Sequence, residues 1–140
     1  MRQILLFAAL AASLALLSGC ALSKAKEDKA EDMTGKAAYH KISAEEAYEM
    51  MASQEVVVVD VRTREEYDGG HIENAVLVPN ENIGSEMPEA LPDKEAPLLV
   101  YCRSGRRSKD AAQKLLALGY QSVYDFGGVI DWPYELVKEG

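Results

Sequence analysis

The amino-acid sequence predicts an α/β domain with a mostly parallel central sheet and helices on both faces. Strand-like and helix-like segments alternate along residues 40–140, which is the order that a parallel sheet requires. Residues 56–61 form a run of valines interrupted only by Asp60, and such a run is typical of a strand buried on both faces. Residues 98–101 form a second apolar run, and an amphipathic helix pattern follows over residues 108–118. About 100 residues are enough for one compact domain with a single core.

Capping signals bound the elements in the first half of this domain. Residues 43–46 read Ser-Ala-Glu-Glu, a capping box that opens a helix extending to about Ala52. Residues 63–66 form a second capping box, and the helix that it opens stops at the glycine pair 69–70. Residues 76–78 are an apolar trio before a proline and predict a short strand.

The second half contains one long polar connection and three further elements. Residues 80–97 are polar and contain prolines, with room for one helical turn. After the helix at residues 108–118, residues 122–125 are predicted to be a strand and residues 126–128 a turn. Residues 131–137 are predicted to form a terminal helix.

Cys102 stands where the strand at residues 98–101 gives way to a helix. A lone cysteine after a strand is often a small buried residue, but the loop that follows this one is polar and basic. That loop is Arg103, Ser104, Gly105, Arg106 and Arg107. Backbone N–H groups of a tight loop and a helix N-terminus converge at such a position and favour a thiolate. The sequence therefore predicts a reactive cysteine that would also hold an anionic substrate.

The first 20 residues predict export and lipidation. Arg2 is followed by a near-continuous apolar run over residues 4–17, and the segment ends Leu-Ser-Gly-Cys at Cys20. This ending resembles the lipobox of bacterial lipoproteins, in which cleavage leaves a lipidated cysteine at the new N-terminus. We expect a signal peptide at residues 1–19 and a lipidated Cys20 with a flexible tether at residues 20–39. The alternative is an ordinary cleaved signal in which Cys20 is incidental.

Charge and cysteine count bound the location and the partners. The chain carries a formal net charge of −8, and removing the leader, whose one charged side chain is Arg2, leaves −9. This balance argues against nucleic acid as a partner and against general adhesion to anionic lipid. We expect a protein held in the bacterial cell envelope by its lipid anchor, on the outer membrane facing the periplasm in a Gram-negative cell. An unpaired Cys102 in that oxidising compartment suggests sulfur redox chemistry.

Several short motifs together resemble the rhodanese-like sulfurtransferases. They are Asp60-Val61-Arg62, Glu66-Tyr67, Gly70-His71-Ile72, Ala75, Pro79, the Cys102 loop and Gly127-Gly128 with Trp132. The resemblance implies a single rhodanese-like domain in which Cys102 takes a sulfane sulfur as a persulfide. The donor would be a small sulfur-containing anion such as thiosulfate or an organic persulfide, and the acceptor a thiol or cyanide-like nucleophile.

Each loop residue has an expected role within this resemblance. Cys102 is the nucleophile, and the amides over residues 103–107 would stabilise thiolate and persulfide, with Gly105 turning them inward. Arg103 and Arg106 are expected to bind the oxyanion end of the donor. Arg107 is included among the substrate-binding residues, with the alternative that it points back into the structure.

Support for the loop is expected from a buried ion pair between Asp60 and Arg62. No metal and no cofactor is predicted. His40 and His71 lie far apart in the sequence and lack liganding companions, and His71 is expected to be a structural hydrogen-bonding residue.

Two departures from relatives bear on the donor. Some two-domain relatives have a basic, substrate-facing residue just before the equivalent of Tyr67, whereas this chain has Glu66. The second loop residue, often basic in thiosulfate users, is Ser104. An organic persulfide is therefore expected to serve better than thiosulfate.

Two other function classes remain open. One is a non-catalytic sulfur-relay or binding module at the membrane. The other is a phosphatase or arsenate reductase of the same fold, in which the loop is one residue longer and ends in arginine. Ser108 occupies that arginine's position here, which argues against this class.

Overall fold

The computed structural model describes residues 37–139. The predicted leader, Cys20 and the tether up to residue 36 lie outside the described residues. Within residues 37–139 the chain forms five strands and three α-helices: β1 (Ala38–Lys41), α1 (Ala44–Ser53), β2 (Val57–Asp60), α2 (Arg64–Asp68), β3 (Val76–Leu77), β4 (Leu98–Cys102), α3 (Arg106–Ala117) and β5 (Ser122–Gly128). None of these three helices is long and apolar enough to cross a bilayer.

The five strands form one parallel sheet in the order β1-β5-β4-β2-β3. Parallel neighbours require crossover connections, and α1, α2 and α3 supply them on the two faces of the sheet. The predicted α/β class and the mostly parallel sheet are confirmed. β4 lies at the centre, so the residues that follow it emerge at the carboxyl edge of the sheet, where ligands bind in folds of this kind.

Both predicted capping boxes are present. The Ser43 hydroxyl accepts from the Glu46 N–H at 3.1 Å, and the Glu46 carboxylate accepts from the Ser43 N–H at 2.7 Å. At the start of α2, the same reciprocal bonds join Thr63 and Glu66 at 3.3 and 3.1 Å. Each box satisfies two N–H groups that the first turn of a helix otherwise leaves without partners.

Alternation along β4 divides the core into two layers. Leu98, Val100 and Cys102 pack with α3 on one face, in a cluster that includes Leu115. Leu99 and Tyr101 face the other way, toward the residues of α1 and α2. Because side chains alternate across a strand, the last residue of β4 places its sulfur on the α3 face, beside the first turn of that helix.

The structure differs from the sequence predictions in three places. The strand β1 was not predicted, and it includes Ala38 and Tyr39 from the expected tether. The turn predicted at residues 126–128 is wrong, because β5 continues to Gly128 alongside β4 after a register shift. The helix predicted at residues 131–137 is also wrong. A 3₁₀ turn covers Val129–Asp131, and the chain then continues without regular secondary structure to a backbone bridge that joins Val137 to His71.

Candidate active site

The loop between β4 and α3 wraps its backbone around the sulfur of Cys102. The Gly105 N–H donates to Sγ at 3.0 Å. Gly105 has φ 101°, in the left-handed region that other residues rarely adopt, and with this conformation the loop turns into α3. Cys102 is only 1% exposed, so the thiol lies beneath the loop that activates it.

Gly128 of β5 provides the floor under this loop. A Cβ at Gly128 would lie 2.6 Å from the Ser104 Cα and 2.7 Å from the Arg103 carbonyl carbon, and closer still to the Arg103 carbonyl oxygen. These are backbone atoms that cannot rotate away. The close approach of β5 to the loop is therefore possible only with glycine at this position.

The surroundings of Cys102 favour the thiolate. Burial raises the pKa of the thiol, because it penalises the charged form. The backbone N–H groups of Ser108, Gly105 and Ser104, together with the Ser108 hydroxyl, lower it by more. The net pKa of Cys102 lies below its ordinary value. A thiol held in this way is a nucleophile, and the same donors suit a negatively charged sulfur one bond further out.

Ser108 and Asp125 form a buried polar pair beneath the site. This pair was not predicted from the sequence. The Ser108 hydroxyl oxygen lies 2.7 Å from Asp125 Oδ1 and 3.0 Å from the Gly105 carbonyl oxygen. Asp125 also accepts from the Tyr39 hydroxyl at 2.9 Å and from the Gly127 N–H at 2.9 Å. Burial, followed by the Asp125 contact, raises the pKa of Tyr39 to about 12. An aspartate inside the strand sequence Ser-Val-Tyr-Asp-Phe was the available signal, because aspartate is depleted in strands.

The loop arginines are in two different situations. Arg103 and Arg106 are exposed, and within residues 37–139 no carboxylate pairs with either. Arg107 instead makes a bidentate pair with Glu66 of α2, with both N–O distances at 2.8 Å. The pair lowers the pKa of Glu66 to about 2, chiefly through the hydrogen bonds from Arg107. Arg107 is thus directed toward Glu66 of α2, and its role toward a substrate stays a prediction.

Asp60 and Arg62 form the expected buried ion pair, with Nη2 2.6 Å from Oδ2. Asp60 also accepts from the Tyr101 hydroxyl at 2.6 Å, and Arg62 donates to the Gly70 carbonyl at 2.8 Å. Their contacts are with Tyr101 and the turn after α2, and no hydrogen bond joins them to residues 103–107. Any support for the loop passes through β4, since Tyr101 immediately precedes Cys102.

The two histidines lie apart from the cysteine. His71 is buried, its Nδ1 lies 2.9 Å from the Tyr67 carbonyl oxygen, and its ring stacks on that of Tyr67 at 3.7 Å. His40 stacks on Tyr124 in the edge strand pair. In the part of the chain that the structure describes, no three His, Cys, Asp or Glu side chains are grouped so that they could hold a metal ion.

This arrangement can carry out nucleophilic chemistry at sulfur. The buried sulfur of Cys102 has several N–H donors around it, and the loop carries the exposed guanidinium groups of Arg103 and Arg106. Donors that are already oriented stabilise a charge without reorganisation, so the thiolate and a persulfide anion gain from the same geometry.

Comparison with known proteins places this geometry among relatives. The family model for the rhodanese-like domain matches residues 43–133. A tRNA uridine(34) hydroxylase from Yersinia pestis is 31% identical over 106 residues, which cover 72% of this chain and 30% of the hydroxylase. The alignment therefore spans less than a third of the length of that relative.

Two solved structures are similar over most of their own length. A rhodanese from E. coli, solved with anions, is 33% identical with a TM-score of 0.56, and the match covers 61% of this chain and 100% of that one. A human single-domain sulfurtransferase is 27% identical with a TM-score of 0.59, and here the match covers 66% of this chain and 93% of that one.

Proposed function

The chain belongs to the rhodanese-like family, and we propose that it is a sulfurtransferase that carries a sulfane sulfur on Cys102 as a persulfide. The observation that carries this proposal is the 3.0 Å hydrogen bond from the Gly105 N–H to the Cys102 sulfur, reinforced by the other donors that lower the thiol's pKa. A similar human protein is a single-domain sulfurtransferase, which supports this activity for an isolated domain.

The proposed first half-reaction is an attack by the Cys102 thiolate on the outer sulfur of the donor. With thiosulfate, the bond between Sγ and that sulfur forms while the S–S bond of the donor breaks. The electron pair of the broken bond leaves with sulfite. The cysteine ends as a persulfide anion, so the total charge is unchanged and no proton is required. The N–H groups around Cys102 stabilise the negative sulfur before and after the transfer.

In the second half-reaction the terminal sulfur passes to an acceptor. Cyanide attacks that sulfur, thiocyanate leaves, and the electron pair of the S–S bond returns to Cys102 as the thiolate. A thiol acceptor reacts in the same sense and becomes a persulfide. Arg103 and Arg106 are exposed beside the loop, and we propose that they guide anionic donors toward it.

Intact mass spectrometry of the full chain tests the proposal directly. The wild type and Cys102→Ala are incubated with thiosulfate or an organic persulfide, and cyanide is then added. We expect the wild type alone to gain the mass of one sulfur and to lose it to cyanide with formation of thiocyanate. No gain with either donor rejects the sulfurtransferase. Loading without turnover on small acceptors supports a sulfur relay, and release of phosphate from an aryl phosphate, lost in Cys102→Ser, supports a phosphatase.

We further propose that the protein acts at the cell envelope, held by lipid on Cys20. The support is the sequence alone: a short apolar leader that ends Leu-Ser-Gly-Cys. Metabolic labelling with a fatty acid, followed by membrane fractionation, tests this. The wild type should incorporate label and sediment with membranes, whereas Cys20→Ala should do neither. An unlabelled wild-type protein would contradict the anchor and leave the sulfur chemistry unaffected.

A further inference from the structure

We propose that the Glu66–Arg107 ion pair sets the donor preference of the Cys102 site, favouring sulfane-sulfur donors with one negative charge over dianions such as thiosulfate. This inference rests on the proposed sulfurtransferase activity. It concerns two residues that lie 41 positions apart in the sequence and meet beside the cysteine loop.

The Glu66–Arg107 pair has the bidentate geometry by which an arginine binds an oxyanion. Arg107 Nη1 lies 2.8 Å from Glu66 Oε2, and Nη2 lies 2.8 Å from Oε1. The Glu66 carboxylate accepts two parallel hydrogen bonds and so occupies the two guanidinium N–H groups that a sulfonyl or sulfate group would otherwise bind. Glu66 is itself held by the N–H and hydroxyl of Thr63, at 3.1 and 3.2 Å. An incoming anion must therefore compete with a fixed internal one.

The carboxylate of Glu66 also neutralises the positive charge of Arg107 near the Cys102 thiolate. The hydrogen bonds that Arg107 donates to Glu66 raise the pKa of Arg107, and the negative charge of Cys102 acts in the same direction. Arg107 lies in the first turn of α3, directly after the loop around Cys102. The two side chains are only 25% and 27% exposed, so their mutual neutralisation is less weakened by water than that of a surface pair. Next to Cys102, the pair contributes no net charge.

The remaining loop cations do not replace the one that is neutralised. Arg103 and Arg106 are exposed, where water and salt screen their charges. A thiolate attacking a dianion brings three negative charges together, whereas attack on a monoanion brings two. The partly buried guanidinium of Arg107 is already paired with Glu66, so it does not offset this repulsion. The site therefore disfavours attack on a dianion more than attack on a monoanion.

Two donors of nearly the same shape separate charge from size. Thiosulfate and methanethiosulfonate each present a sulfane sulfur on a tetrahedral sulfur, and a methyl group replaces one charged oxygen in the second. With methanethiosulfonate, the S–S bond breaks and methanesulfinate leaves with the electron pair, so the persulfide product is the same. The ratio of kcat/KM for thiosulfate to that for methanethiosulfonate then reports the preference for charge.

The decisive variant is Glu66→Gln in the full chain. Glutamine can still accept from the Thr63 N–H, so the capping of α2 is retained while Arg107 is released. We expect the thiosulfate to methanethiosulfonate ratio to rise about tenfold, which corresponds to about 1.4 kcal/mol, mainly through a lower KM for thiosulfate. Glu65→Gln is the matched control, because it removes the same charge from an exposed neighbour on α2. It should leave the ratio within about twofold of the wild type.

A measurement on the wild type alone gives an independent test. Sulfate and methanesulfonate differ in charge as the two donors do, and each should slow alkylation of Cys102 when it occupies the site. We expect sulfate to protect no better than methanesulfonate in the wild type. Stronger protection by sulfate would overturn the inference, as would an unchanged donor ratio in Glu66→Gln. If both donors load one sulfur onto Cys102 and the ratio does not move, the sulfurtransferase stands and this inference fails. If neither donor loads the wild type, both fail.

Discussion

Replacing Gly128 with alanine should displace the loop that surrounds Cys102. The added Cβ would lie 2.6 Å from the Ser104 Cα and 2.7 Å from the Arg103 carbonyl carbon. The optimal separation of nonbonded carbon atoms begins at about 3.5 Å, so the loop backbone must move away from Gly128 by about 0.9 Å. A crowded interior of this kind typically costs about 1–3 kcal/mol of folding free energy.

The displacement acts on the thiol through the hydrogen bonds that the loop donates. The Gly105 N–H to sulfur distance is 3.0 Å, and a retreat of about 0.9 Å carries it close to the limit for a bond to sulfur. Because these donors lower the pKa of Cys102, weakening them returns the pKa toward its ordinary value. A rise of one pKa unit reduces the thiolate fraction about tenfold at a pH below the pKa.

Alkylation by iodoacetamide across a range of pH measures this effect without assuming any activity. We expect the midpoint of the rate profile for Gly128→Ala to move to higher pH, with urea unfolding showing a loss of about 1–3 kcal/mol. Gly84→Ala is the control, since a Cβ at Gly84 meets no atom within 4 Å. It should keep the wild-type midpoint. A Gly128→Ala protein with wild-type stability and an unmoved midpoint would show that the close approach of Gly128 to the loop does not control the pKa of the thiol.

Three further substitutions test single contacts. Glu66→Gln should remove a pH dependence of stability, because the pKa of Glu66 is about 2 against an ordinary 4.5. The ionised carboxylate contributes up to about 3 kcal/mol to the free energy of unfolding above pH 4.5, and this contribution is lost as the pH falls toward 2. Urea unfolding at a series of pH values measures it. Arg62→Met should cost about 3–5 kcal/mol in the same assay, because it leaves the buried carboxylate of Asp60 without its counter-ion. Ser108→Ala should raise the pKa of Cys102 and move the alkylation profile to higher pH, since it removes a buried side chain that lowers this pKa.

Exposed neighbours provide a control for each of these three. Glu65→Gln should retain the wild-type dependence of stability on pH. Arg64→Met removes a cation that is 70% exposed and should change the free energy of unfolding by less than about 1 kcal/mol. Ser85→Ala, in an exposed loop, should leave the alkylation profile in place. If a variant and its control had equal effects, the contact removed by the variant would not contribute specifically to stability or to the pKa of Cys102.

The sequence predicted best where the structure depends on neighbouring residues. Both capping boxes formed as expected, because Ser43 and Thr63 each bind a group only three residues away. The helix after the cysteine loop begins at Arg106, two residues before the predicted start, a small difference that is common at helix ends.

The errors lie where a distant segment decided the outcome. Residues 131–137 were predicted as a helix, yet the backbone of Val137 exchanges two hydrogen bonds with His71, at 2.8 Å each. Residues 126–128 were predicted as a turn because of their glycines, but pairing with β4 keeps them in β5. Local propensity cannot register a partner that lies more than 20 residues away, and tertiary pairing overrides it.

The α/β class and the presence of a cysteine in a polar, basic loop follow from the amino-acid sequence alone, because strand and helix periodicity and loop composition are local properties. Which side chains act on that cysteine depends on tertiary packing. It placed Asp125 beneath Ser108 at 2.7 Å, and it paired Arg107 with Glu66 while leaving Arg103 exposed. The three loop arginines are chemically identical in the sequence. Their charges differ in effect because burial and a fixed counter-ion are properties of packing, which joins residues far apart along the chain.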